Sequence, residues 1–235
     1  MTSSNPGSPV YCSGPMFSVG DKGEQQAIAD ALAAAGYDTY LPQRDGIEVG
    51  AVMRMVNHPL LEGYIADKIM LEVRKWVFAL YMYQLLSRCN SVVFNLDGRV
   101  PDDGSVVETA AAFTAGKPIV IYKSTPITML SGADNPMIEG LTGTWSYAED
   151  VPSIAPALKT AIQGAKPYTY APPPDVAAQI AEGEDVWTVL SDMRAMPSDP
   201  GDLIKWLEEL AKQLVGGGSK AQRFQRSGKT AQPTS

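Results

Sequence analysis

Apolar positions along this chain follow two alternating patterns. Short apolar runs predict strands at 10–12, 37–41, 91–96, 118–122 and near 144–147. The run SVVFNL at 91–96 is apolar on consecutive positions, as in a strand buried on both faces. Between the runs, helical spacing predicts helices at 23–35, about 60–88, 105–115 and 153–163. Gly36 supplies the stop for the first of these. In the long helix, Ile65, Ile69, Val73, Val77, Leu80, Gln84 and Leu85 follow helical spacing. Residues 43–58, with Gly46 and Gly50, read as irregular. The alternation predicts an α/β fold, a doubly wound five-stranded parallel sheet with helices on both faces. Ligands of such folds bind at the carboxyl ends of the strands. Ser13-Gly14-Pro15, Asp97-Gly98 and the loop holding Asp102 fall at those ends.

The pattern changes after Gly164. Residues 1–8 read as a flexible lead, 9–164 as the α/β domain and 165–175 as a Pro-rich linker. A C-terminal helical extension over 176–215 and a disordered basic tail at 216–235 follow. Within the extension, Leu203, Trp206, Leu207, Leu210 and Leu214 form one stripe, opened by the cap signal Ser198-Asp199-Pro200. Trp187 and Trp206 read as packing anchors.

Composition narrows the function classes. The 235 residues are 45% apolar and carry a formal net charge of −7, which argues against nucleic acid as a partner. No apolar run approaches the roughly 20 residues of a membrane span. The N-terminal residues lack the pattern of a signal peptide. Cys12 and Cys89 lack metal-ligand spacing and read as reduced core thiols of a cytoplasmic protein. With His58 as the single histidine, a metal site or a serine–histidine triad has little to draw on. Neither G-x-G-x-x-G nor G-x-x-x-x-G-K-[ST] occurs, which removes the main support for dinucleotide and P-loop chemistry. A receiver-type domain needs an acidic pair after the first strand, where this chain has Cys12, Ser13 and Gly14.

The acids at 102–108 then stand out. Glu108 reads either as a carboxylate favoured by the first turn of a helix or as a functional group at the binding edge. Held at a helix N-terminus it would stay ionised and oriented, as a nucleophile or a stabiliser of positive charge requires. Ala110, Ala111 and Ala112 let that helix approach the sheet closely.

Four segments in order, 10-VYCSGPMF-17, 93-VFNLDGRVPDDGSVVE-108, 116-GKPIVIY-122 and 135-NPMIEGL-141, carry a family resemblance. Over roughly residues 9–163 the chain resembles the nucleoside 2-deoxyribosyltransferases. That resemblance implies a flavodoxin-like sheet and transfer of a 2-deoxyribosyl group between nucleobases, as in nucleoside salvage. The route it implies is a glycosyl-enzyme ester with net retention, without metal or other cofactor. Nucleosides and free nucleobases are the partners implied, and no membrane. The family pattern D-x-G-[ST]-x-x-E falls on Asp102, Gly104, Ser105 and Glu108. Glu108 is then the nucleophile, Tyr11 the residue that orients it, and Asp102 a holder of the sugar 5′-hydroxyl. Gly14, Pro15, Phe17, Gly104 and Ser105 are implied to line the substrate. Asn135 and Met137 match a pair lent to a neighbouring subunit, which implies a homo-oligomer with shared sites. Asp97 either lines the base pocket or caps its turn.

One segment departs from the family. Members carry an aspartate on the helix before the central strand, whereas 79-ALYMYQLLSRCNS-91 has no carboxylate. Tyr81 and Tyr83 stand at the corresponding positions, and tyrosine is a poorer general acid. Hydrolysis of (deoxy)nucleosides or their 5′-monophosphates by the same glutamate is therefore an alternative. So is a catalytically silent nucleoside-binding protein. A related branch that acts on 5′-monophosphates places serine where Asp102 stands. A carboxylate repels phosphate, so Asp102 favours free nucleosides.

Overall fold

The computed structural model describes residues 9–56, 63–97, 100–125, 134–193 and 195–217. The lead at 1–8, His58 and most of the basic tail lie outside the described residues. The chain divides into two compact units. One comprises residues up to Asp45 together with Gln84–Ala171, and the other Gly46–Tyr83 together with the chain from Pro172.

The first unit is built on a parallel sheet. Its strands are β1 (Val10–Ser13), β2 (Thr39–Tyr40), β3 (Ser91–Asn95) and β4 (Ile119–Tyr122), in the order β2-β1-β3-β4. All three pairings are parallel, with Val10 opposite Ser91 and Val92 opposite Ile119. This order is that of the flavodoxin-like sheets, up to their fourth strand. The expected fifth strand is absent among the described residues, and a single parallel bridge between Tyr122 and Ala148 stands in its place. The reason is local. Gly143 and Trp145 both adopt positive φ, which breaks the extended run on which a strand at 144–147 would depend. The expected strand at 37–41 likewise shortens to two residues.

Helices cover both faces of the sheet. Val10, Cys12, Val93, Val120 and Tyr122 turn to one side, against Ile28, Ala29 and Leu32 of α1 (Val19–Ala34) and Ile154 and Leu158 of α7 (Val151–Gly164). Tyr11 and Ser13 turn to the other side, where α5 (Asp103–Thr114) packs. This is the period-two alternation of a strand. Each of these helices starts on a polar cap. Ser18 and Asp21 form a capping box on α1, Asp150 and Ser153 one on α7, and Asp102 caps α5. A short helix, α2 (Pro42–Asp45), follows β2.

The second unit is helical. The region read as irregular at 43–58 holds most of α2, which belongs to the first unit, and then α3 (Val49–Val56) of the second. The long helix is α4 (Gly63–Tyr83), and it continues into a π-helical turn at Gln84–Arg88 rather than running to Arg88 as α-helix. With α8 (Pro174–Asp192) and α9 (Pro200–Gly217), helices α3 and α4 enclose a core of Ile47, Val52, Val73, Leu80, Val186, Leu203, Trp206, Leu207 and Leu210. The segment at 46–83 thus shares its core with the C-terminal helices, where a contiguous domain at 9–164 had been expected.

Gly183 marks the contact of α8 with α4. A Cβ at Gly183 would overlap the Ala79 carbonyl and lie 2.6 Å from Tyr83 Cβ. Backbone cannot step aside as a side-chain tip can. Gly183→Ala is therefore expected to destabilise this unit by about 1–3 kcal/mol, despite alanine's better helix propensity. Gly23→Ala, on α1 with open space around it, is expected to be neutral or slightly stabilising. Denaturant unfolding of the pair checks this, and equal midpoints for both variants would refute it.

Candidate active site

The site is assembled at the carboxyl ends of β1 and β3. Glu108 lies on α5, one and a half turns in. The helix begins at Asp103 with Asp102 as its cap, so Glu108 is its sixth residue and not part of its first turn. The helix-terminus account of an ionised Glu108 is thereby corrected. What holds this carboxylate is β1. Tyr11 Oη donates to Oε1 at 3.0 Å and Ser13 Oγ donates to Oε2 at 2.6 Å. Tyr11 and Ser13 are fully buried, and Tyr11 packs obliquely on Tyr40 with ring centroids 5.4 Å apart.

Burial dominates the acidity of Glu108. Enclosure by protein atoms pushes its pKa up to about 7, against the lowering pull of Ser13 and then Tyr11, with Asp102 adding a smaller upward push. The carboxylate is therefore poised to change charge near neutrality, whereas the sequence reading had it ionised throughout.

Asp102 is the helix cap. Its Oδ2 accepts from Ser105 N at 2.7 Å and from Ser105 Oγ at 2.5 Å. Gly104 is exposed, its N–H donating to Asp103 Oδ1 at 2.8 Å. Asp97 binds the chain after β4. It accepts from Ser124 N at 2.8 Å, Ser124 Oγ at 2.5 Å and Thr125 N at 2.9 Å. Burial raises its pKa, but these hydrogen bonds outweigh that and hold it below the usual carboxylate range.

Gly14 has no room for a side chain. A Cβ there would overlap the Gln25 amide and sit 2.8 Å from Asn95 Cβ. Pro15 is half-buried and Phe17 is exposed at 83%. Asn135 caps the short helix α6 (Pro136–Glu139) by accepting from Met137 N at 3.0 Å, and the Met137 side chain is 79% exposed. Tyr81 and Tyr83 belong to the second unit, where Tyr81 packs on the helical core and Tyr83 lies beside Gly183.

The structure adds residues the sequence reading passed over. Ser13 was legible from alternation alone, since it follows Tyr11 by two residues in a strand. Glu24 of α1 accepts from Asn95 Nδ2 at 2.8 Å and from Tyr122 Oη at 3.3 Å, tying α1 to the tips of β3 and β4. Lys123, just past β4, pairs with Asp134 at 3.1 Å, both side chains 5% exposed. The two contacts of Glu24 join residues distant in sequence and leave no local signal. Cys12 and Cys89 are buried free thiols, pushed up to about 12 chiefly by burial. Among the described residues no cluster of three His, Cys, Asp or Glu side chains could hold a metal ion, and no helix is long and apolar enough to cross a membrane.

Fold and site together define a class: a doubly wound α/β protein with one part-buried glutamate held by hydroxyl donors of its first strand. The family model for nucleoside 2-deoxyribosyltransferase matches residues 10–196, and the chain belongs to that family. The match runs past Gly164 through α8. Among solved structures, the chain is similar to a conserved protein from Enterococcus faecalis V583, at 18% identity and a TM-score of 0.47 over 66% of this chain and 98% of that one. It is also similar to a 2-deoxyribosyltransferase from Bacillus psychrosaccharolyticus, at 19% identity and a TM-score of 0.39 over 68% and 98%. No curated protein matches it.

Proposed function

We propose that this protein moves a 2-deoxyribosyl group from one nucleobase to another through a covalent ester on Glu108. The observation that carries the reading is that both carboxylate oxygens of the half-buried Glu108 are held by hydroxyl donors of β1. In the first step an oxygen of Glu108 bonds to C1′ while the C1′–N bond breaks. The bond pair leaves on the base nitrogen, which takes a proton from water. In the second step the nitrogen of a new base bonds to C1′ and the C1′–O bond breaks. Its pair returns to Glu108, and the acceptor's N–H proton passes to solvent. Two inversions give net retention, as in retaining glycosidases. No cofactor enters either step.

With Oδ2 of Asp102 engaged in its cap, Oδ1 is the atom that would meet the sugar 5′-hydroxyl. A second carboxylate near Glu108 disfavours a 5′-phosphate, so free nucleosides are the substrates of this reading. The reading includes a homo-oligomer with shared sites, to which the exposed Met137 side chain would contribute.

The test is chromatographic analysis of the protein with 2′-deoxynucleosides and a different free base, beside Glu108→Ala. A new deoxynucleoside of unchanged anomeric configuration, absent with the variant, is the expected result. Free base and deoxyribose alone would make the protein a hydrolase. A new nucleoside formed equally by Glu108→Ala would remove Glu108 from the mechanism.

A further inference from the structure

The geometry points to Ser13 as a positioning residue for Glu108, one that holds the second carboxylate oxygen and eases its departure when the ester is resolved. This rests on the reading of Glu108 as nucleophile. Tyr11 Oη reaches Oε1, and the shorter contact, 2.6 Å, is the one from Ser13 Oγ to Oε2. Both donors rise from the same face of one strand, two residues apart, so the carboxylate is gripped at both oxygens by a rigid element. Ser13 is 1% exposed, so water does not replace its hydrogen bond cheaply.

A donor on a carboxylate lowers its basicity. In the first step that makes Glu108 ionised at lower pH. In the second step Glu108 is the leaving group, and the donor stabilises the charge that returns to it as the C1′–O bond breaks. Removing the donor therefore does two things that a merely structural loss does not. It moves the ionisation of Glu108 upward, and it slows resolution of the ester relative to its formation.

Among the described residues, few other groups bear on this ionisation. Those facing Glu108 are Tyr11 and Ser13 from β1 and Asp102 from the turn before α5. Other ionisable groups described near α5 have partners of their own, Asp103 accepting from Gly104 N. Tyr122 of β4 bonds Glu24, Arg88 of the π-helical turn bonds Gln84, and Lys117 bonds the Cys89 carbonyl.

Ser13→Ala removes one oxygen and adds nothing, so the strand is kept. The experiment is the pH dependence of kcat/KM for base exchange, with the ester-bearing fraction measured by acid quench and intact-protein mass. In Ser13→Ala the acidic limb is expected to lie about one pH unit higher, lowering kcat/KM about tenfold at pH 6 and less above pH 8. The ester-bearing fraction is expected to rise several-fold when acceptor base is scarce. An acidic limb unmoved from the wild type, or an ester fraction no higher, overturns the assignment. Glu108→Ala assayed alongside separates the two levels. If it keeps full activity the nucleophile reading itself fails, whereas if it is dead and Ser13→Ala has an unmoved limb, only the role of Ser13 fails.

Discussion

Replacing Glu108 by glutamine is expected to abolish base exchange and, at pH 8, to make the protein more stable. The first effect follows from the proposed chemistry. An amide cannot form the ester, so kcat is expected to fall by at least about 10³-fold. The second follows from where the carboxylate sits. Its pKa is near 7 in the folded protein, raised from 4.5 mainly by burial. Below pH 4.5 the group is protonated in both folded and unfolded chains and costs nothing. Between there and pH 7 the folded protein retains a proton that the unfolded chain releases, so stability falls as pH rises. Above pH 7 the penalty is complete. Because Glu108 is only half-buried and partly screened, about 1–3 kcal/mol is the expected size. Glutamine keeps the shape without the charge. Thermal unfolding at pH 8 should favour Glu108→Gln by several degrees, and the two proteins should melt together near pH 4.5. A difference independent of pH, or a less stable variant at pH 8, would show that burial of the charge is not what this site costs.

Lys123→Met is expected to cost about 3–5 kcal/mol of stability, the largest loss from any single side chain discussed above. Lys123 follows β4, and its ammonium pairs with Asp134 at 3.1 Å with both side chains almost wholly enclosed. Truncating the cation leaves the Asp134 carboxylate buried without its counter-charge. The penalty is that of stranding a charge, not of losing an attraction, so it should be relieved by removing the partner as well. Lys123→Met with Asp134→Leu is expected to recover most of the loss. Urea unfolding of the single and double variants measures both. If the single variant unfolds at the wild-type midpoint, or the double one is the worse, the pair is not the buried tie described. The pair also bears on the site, because Asp134 directly precedes Asn135, the cap of α6.

Much of this arrangement was readable before any coordinates. Consecutive apolar residues in SVVFNL and IVIY mark strands buried on both faces, and both are in the sheet. The Asp102–Ser105 spacing is a cap signal, and it explains why α5 begins before the position expected from Glu108. The strand expected at 144–147 failed because its residues are compatible with extension only if Trp145 is, and Trp145 sits at φ 57°. Side-chain patterning carries no information about that dihedral. The division into units was unreadable for a different reason. The stripes of α4 and of α9 were each visible, but an amphipathic face says that it needs a partner and not which one. Ser13 is the reverse case. Its place was implied by simple alternation, yet a serine in an apolar strand attracts no attention until a carboxylate is found opposite it.

The second unit is made from two stretches of chain separated by most of the first, and this bears on what can be lost from the protein. A chain ending after Gly164 would look, on paper, like one shorn of an appendage. It would in fact carry α4 with Val73 and Leu80 stripped of Val186 and Leu203, which now cover them. Such a chain would present a sticky helix to every other protein around it and invite degradation. A stop codon there would therefore act as a null allele, and the gene is expected to tolerate shortening only beyond α9.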